Sequence, residues 1–170
     1  CSQTAGSAIG CELMVFDISS TTNPTYVAGR DASGDSTGVG SDTVSRFIIV
    51  GNYLYVGKWS NSTACSQTAG SAIGCEIMVF DISSSTNPIY VAGRDVSGDS
   101  TGTGSNHIYS LTTAGNYLYV GKGSNATACS QTAGSAIGCE LQVYDISSTT
   151  NPIYVAGRDA SGDATGNYCE

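Results

Sequence analysis

CSQTAGSAIGCELMVFDISSTTNPTYVAGRDASGDSTG, residues 1–38, decides the fold because it occurs three times, restarting at Cys65 and at Cys129 with a period of 64 residues. The first two copies differ at four of 38 positions (Leu13/Ile77, Thr21/Ser85, Thr25/Ile89, Ala32/Val96), the second and third at six. Each swap is mild. A period of this length is one supersecondary unit used repeatedly, whose exposed edges only a neighbouring copy covers. The 170 residues hold two full periods and a partial third, too few to close a repeat array on itself.

Within the copy, Glu12 to Ile18 is a near-continuous apolar run, too short for a helix and rich in β formers, which predicts a strand packed on both faces. Asp17 marks its exit, where a carboxylate accepts backbone amides two residues on and fixes the turn through Ser19 and Ser20. Asn23-Pro24 then opens a second strand, Thr25 to Ala28, which Gly29 is expected to break. Outward from the copy, Thr43 to Val50 predicts a further strand, Gly51-Asn52 a tight turn, and Tyr53 to Val56 an alternating strand. The second period places strands at Ile77–Phe80, Ile89–Ala92, Ile108–Thr113 and Tyr117–Val120, and the third at Leu141–Tyr144 and Ile153–Ala156. The expectation is all-β, four antiparallel strands per 64-residue repeat, with no helix. One strand varies freely: TVSRFIIV at 43–50 becomes HIYSLTTA at 107–114, while GNYLYVGK is kept.

Composition agrees. Charged residues make 12% of the chain, the net charge is −8, Ser and Thr together supply about a quarter of positions, and Tyr (10) outnumbers Phe (3). That mix belongs to short strands joined by many turns. Only six basic residues are present, so neither nucleic acid nor an anionic membrane surface is an expected partner. No apolar run of 18 residues and no signal peptide is visible, so the numbering is expected to begin after processing or inside a longer array.

Six of seven cysteines form equally spaced pairs, Cys1/Cys11, Cys65/Cys75 and Cys129/Cys139, each framing SQTAGSAIG. A local disulfide in each repeat is the simplest reading, and it implies an oxidising, extracellular setting. Cross-repeat pairing such as Cys11 with Cys65 is also compatible with the sequence. A metal site is disfavoured, because no histidine accompanies the pairs. Cys169 is the odd one, a free thiol or a bond to another chain. Two sequons, Asn61-Ser62-Thr63 and Asn125-Ala126-Thr127, offer equivalent N-glycosylation sites on exposed loops.

Candidate chemistry is sparse. The Asp31/Asp35, Asp95/Asp99 and Asp159/Asp163 pairs of D-x-S-G-D have oxygen spacing that wraps Ca²⁺, but the downstream bidentate Glu is missing. The competing reading is a turn in which Arg30, Arg94 or Arg158 meets a nearby carboxylate. His107, the sole histidine, has neighbours that form no catalytic relay, so no enzyme activity and no cofactor is expected. Tyr53 and Tyr55 lie two apart, as do Tyr117 and Tyr119, so each pair shares one face of its strand and is expected to pack between units, a sugar-stacking platform being the alternative, with Trp59 also a packing residue.

GNYLYVG, then EIMVFDIS or ELQVYDIS, then NPIYVAGRD resembles the LVIVD-type repeat. That resemblance implies β-propeller blades of four antiparallel strands in secreted or surface proteins, and it carries no catalytic motif. This chain differs by a longer period, the extra length being the cysteine-framed segment. In blade order, residues 1–42 are the second half of a blade, 43–106 a complete blade, and 107–170 a complete blade with a truncated end. About two and a half blades leave unlike surfaces open at the two ends, which predicts head-to-tail association of a structural repeat protein with itself, into a ring or filament. The alternative is a surface adhesion module holding a glycan or protein near Arg46 and His107 on the variable strands.

Overall fold

The computed structural model describes residues 11–30, 43–59, 65, 75–96, 107–123, 129 and 138–160. Among these there is no helix. Ten strands follow in order: β1 (Leu13–Asp17), β2 (Thr25–Arg30), β3 (Val44–Val50), β4 (Tyr53–Lys58), β5 (Ile77–Asp81), β6 (Ile89–Arg94), β7 (Ile108–Ala114), β8 (Tyr117–Lys122), β9 (Leu141–Asp145) and β10 (Ile153–Arg158). They form a two-stranded sheet β1-β2 and two four-stranded sheets, β3-β4-β5-β6 and β7-β8-β9-β10. Every neighbouring pair is antiparallel. Each sheet is a simple meander, as in a propeller blade, and the set does not close.

The turns follow from local chemistry. Gly51 and Gly115 both sit at φ 58°, a left-handed conformation that costs glycine nothing, and the two-residue loops they open join β3 to β4 and β7 to β8. The carbonyls of Asn52 and Asn116 in these loops accept the amides of Ile82 and Ile146, each at 2.8 Å, so the turn also anchors the chain leaving the third strand. At that exit Asp17, Asp81 and Asp145 accept the amides of Ser19, Ser83 and Ser147, each at 2.8 Å. Those bonds hold each carboxyl below its usual range. The turn closes with Asn87 N–H donating to Ser84 O at 3.2 Å and Asn151 N–H to Ser148 O at 3.0 Å.

Gly29 does not end its strand. β2, β6 and β10 run on through Gly29, Gly93 and Gly157 to an arginine. A bulge at Val27, Val91 or Val155 places two residues opposite one on the partner strand. This turns the preceding tyrosine back over the glycine. A β-carbon on Gly93 would meet the Tyr90 hydroxyl, Cys75 Sγ at 2.6 Å and Cys75 Cβ at 2.8 Å. The glycine is required by close approach, not by backbone freedom.

The cores lie between sheets. Leu54, Val56, Met78 and Phe80 on one face of the second sheet are buried, with Leu13 of β1 packed against them. The opposite face, Tyr55, Ile77, Val79 and Ala92, closes against Ile108, Leu118, Val120, Tyr144 and Ile146 of the third sheet. Disulfides Cys65–Cys75 and Cys129–Cys139 staple the segment entering β5 and β9. Cys11 is likewise disulfide-bonded, while Cys1 lies outside the described residues.

Gly93→Ala should destabilise the fold by about 1–3 kcal/mol through overpacking against the disulfide. Gly51→Ala, with nothing within 4 Å of its would-be β-carbon, should cost only the left-handed backbone, about 1–2 kcal/mol, and Gly51→Asn less. Urea denaturation of the three variants separates the two causes.

Candidate functional site

The most elaborated polar chemistry lies at the seam between consecutive sheets. It begins with the turn just described, which presents the side chain of an asparagine and the carbonyl of a proline at the edge of each sheet. Arg94, at the end of β6, reaches across: Nε donates to Pro152 O and Nη2 to Asn151 Oδ1, while Nη1 donates to Gly93 O at 2.5 Å. Arg30 does the same one repeat earlier, with Nε on Pro88 O, Nη2 on Asn87 Oδ1 and Nη1 on Gly29 O at 2.5 Å. Of the D-x-S-G-D turn, whose carboxylate is the partner expected from sequence, Asp31, Asp35, Asp99 and Asp163 lie outside the described residues; among the described ones the guanidinium spans the seam to neutral oxygens 57 and 58 residues away. Its planar fork suits two convergent acceptors. Burial lowers the pKa of both arginines, yet a guanidinium remains charged.

Tyr55 is the second bridge. Fully buried, it donates its hydroxyl to Thr149 O at 2.8 Å, in the turn that also carries Asn151 and Pro152. Ser45 Oγ adds a third, donating to Ile108 O at 2.6 Å beside Gly57, whose β-carbon would meet Ile108 Cγ2 at 2.7 Å.

A buried network unites two of the six differences between the second and third copies. Where the second copy has Met78 and Phe80, the third has Gln142 and Tyr144. Gln142 Nε2 donates to Val96 O at 2.9 Å and Tyr144 donates to Gln142 Oε1 at 2.9 Å. Glu76 Oε2 in turn accepts the Val96 amide at 3.0 Å, and Glu140 accepts that of Ala160 at 2.8 Å. Burial, with the nearby Glu76 charge adding to it, pushes the Tyr144 phenol well up. Lys58 and Glu76 are fully buried neighbours at the end of β4 and start of β5, the Lys58 amide donating to Glu76 O at 2.9 Å. Sequence reasoning passed over this glutamate, although it follows the second cysteine of every pair.

Among the candidates named from sequence, His107 stacks on Trp59 across the same seam, ring centroids 4.2 Å apart, and meets Tyr109 edge-on at 6.3 Å. Desolvation lowers its pKa. Arg46 stands exposed on β3, donating to its neighbour's carbonyl Ser45 O at 2.6 Å. Tyr53 packs against the core, Tyr119 is half-buried and Tyr117 is exposed. Asp95 and Asp159 directly follow β6 and β10; Asp31, Asp35, Asp99, Asp163, Asn61, Asn125 and Cys169 lie outside the described residues. Among the described residues no group of three His, Cys, Asp or Glu side chains is placed to hold a metal ion, and no helix is long and apolar enough to cross a membrane.

Residues 43–63, from just ahead of β3 to the segment after β4, match the LVIVD repeat family model, so the chain carries an LVIVD-type repeat. Comparison with curated proteins and with solved structures finds no match.

Burial raises the Tyr55 phenol, with Tyr53 adding to it, and the Tyr90 phenol, eased by Arg94, each from 10.0 to about 12. Because the folded pKa values are raised, this stabilisation is complete below about pH 10 and is lost as pH rises towards 12. Absorbance at 295 nm should show the seam phenols ionising only with unfolding, and Tyr55→Phe should shrink that late phase. In a second test, Gln142→Met and Tyr144→Phe should each cost about 1–3 kcal/mol. The double variant, which restores the side-chain pair of the second copy, should cost less than their sum.

Proposed function

We propose that this LVIVD-repeat chain is an extracellular structural protein whose units associate head to tail, sheet face on sheet face, through the same seam that joins its own sheets. The observation that carries this reading is the match between the two outer faces. On the two-stranded sheet, Met14 and Phe16 are each 42% exposed, and Ile18 71%. Their counterparts in the next copy, Met78 and Phe80, are 0% and 1% exposed inside a seam. At the far side of the third sheet, Tyr117, Leu141 and Val155 face outward, where their counterparts Tyr53, Ile77 and Val91 pack into the core. One outer face therefore carries the residues of one side of a seam, and the other face the residues of its opposite side.

Such faces are complementary to each other and not to themselves, so the contact is heterologous and propagates unless its rotation closes a ring. The disulfides fit an oxidising, extracellular location. Glycans on Asn61 and Asn125 belong to the same reading, since both sequons precede a cysteine-framed segment at equivalent repeat positions. The polar groups in the seam hold strands and turns together, and the reading assigns them no catalytic role and no cofactor.

Sedimentation velocity and negative-stain microscopy over a concentration series test it. The expected outcome is a progression of species growing by single 17.3 kDa units into rods or rings. A single species of that mass at every concentration up to the millimolar range would overturn the proposal.

A further inference from the structure

Arg30 grips the Asn87-Pro88 turn of the following repeat, and Arg94 grips the Asn151-Pro152 turn in the same way. The third arginine of the series, Arg158, closes β10 in the same sequence context, YVAGR, but it is exposed. Among the described residues its guanidinium donates only to its neighbour's carbonyl, Gly157 O, at 2.7 Å. That is the one contact of the three that needs no following repeat, since Arg94 makes it too with Gly93 O. The outward-reaching edge of the fork is left open.

The turns show the reverse pattern. Pro88 and Pro152, each seated under an arginine, are buried, whereas Pro24, in the first turn, is exposed; the asparagine beside each proline is exposed in all three turns. Among the described residues, then, Arg158 lacks the pair of acceptors that Arg30 and Arg94 hold, and the Asn23-Pro24 turn lacks the arginine that grips its two counterparts. The tyrosine bridge repeats the mismatch. Tyr55 donates to Thr149 O, but its counterpart Tyr119 is only half-buried, and Thr21, the counterpart of Thr149, is exposed.

Resting on the head-to-tail reading, we propose that Arg158 of one copy clamps the Asn23-Pro24 turn of a second copy, donating to Asn23 Oδ1 and Pro24 O, while Tyr119 donates to Thr21 O. The occupant is a second copy because both internal seams already show the arginine clamp with the same residue types and the same offset along the sequence, and the seam between the second and third sheets adds the tyrosine bridge. The clamp sets the register of the junction: apolar faces slide over one another at little cost, whereas a two-acceptor fork fits in one position. Met14, Phe16 and Ile18 then cover the face bearing Tyr119 and Leu141.

Charge reversal at each end tests it. Arg158→Glu removes the donor and Asn23→Lys sets like charges against Arg158 of the next copy. Each should raise the concentration at which the protein associates by about tenfold or more. Because both positions are exposed, thermal melts of the monomer should stay within a few degrees of wild type. Mixing the two variants in equal amounts should restore association, since the carboxylate introduced by Arg158→Glu then meets the ammonium introduced by Asn23→Lys, and the next junction pairs an unaltered Arg158 with an unaltered Asn23. If wild type associates and both single variants associate equally well, or if the mixture stays as dispersed as its components, the clamp is wrong while the head-to-tail reading stands. If wild type itself never associates, the head-to-tail reading falls and the clamp with it.

Discussion

Everything in this molecule depends on sheets that are apolar on both faces. A half-buried strand alternates, but in β4 Leu54, Tyr55, Val56, Gly57 and Lys58 are buried without interruption, and in β5 Ile77, Met78, Val79 and Phe80 follow suit. Successive side chains point to opposite faces, so continuous burial means that neither face can be left to water. A sheet of this kind has to be sandwiched. The repeat is the economical solution, because one sequence supplies both the face that covers and the face that is covered.

Packing alone would leave the sheets free to slip, and the polar groups of the seam remove that freedom. Arg94 is partly withdrawn from water, a cost that its hydrogen bonds to neutral oxygens across the seam offset only when all its acceptors are in place. Proline suits the acceptor position. Having no N–H, it withholds a donor at the strand entrance while its carbonyl stays available, and the Ser84–Asn87 or Ser148–Asn151 turn fixes that carbonyl in space. The asparagine beside it supplies the second oxygen. Local turn chemistry in one repeat thereby sets the register of a contact made by another.

The strands were legible in the sequence because their signals are local: apolar runs of five to seven residues, Gly-Asn turns, and an Asp two residues ahead of a serine amide. Cysteine spacing pointed to the stapled segments for the same reason. What sequence reading missed is non-local. Gly29 looks like a strand breaker until the bulge at Val27 and the returning Tyr26 hydroxyl are known. The arginines lie within one residue of an aspartate, and nothing local announces the oxygens, nearly a full period away, that the guanidinium engages. Met78/Gln142 and Phe80/Tyr144 read as two mild swaps; folded, they are one change, because the tyrosine hydroxyl needs the glutamine oxygen. Trp59 and His107 looked solitary for the same reason, each being the missing half of the other's stack.

Near-identical tandem repeats carry a hazard, since any sheet can pair with the wrong neighbour. The positions that differ answer it. Ser45 reaching Ile108 O, Trp59 stacked on His107, and Gln142 bridging Val96 and Tyr144 all fall on the seam between the second and third sheets. None of these groups recurs on the outer face of the third sheet, where Tyr109 stands for Ser45 and Gly123 for Trp59. The seam within the chain is therefore marked by residues of its own, and the outer faces keep only what all copies share: the apolar stripe, the tyrosine, the arginine and the Asn-Pro turn. The two-stranded sheet also offers no counterpart of β7 and β8, which bring Ile108, Leu118 and Val120 to the internal seam. The junction proposed between copies would thus be smaller and less specified than the seam inside one, and would form as a weaker, concentration-dependent step.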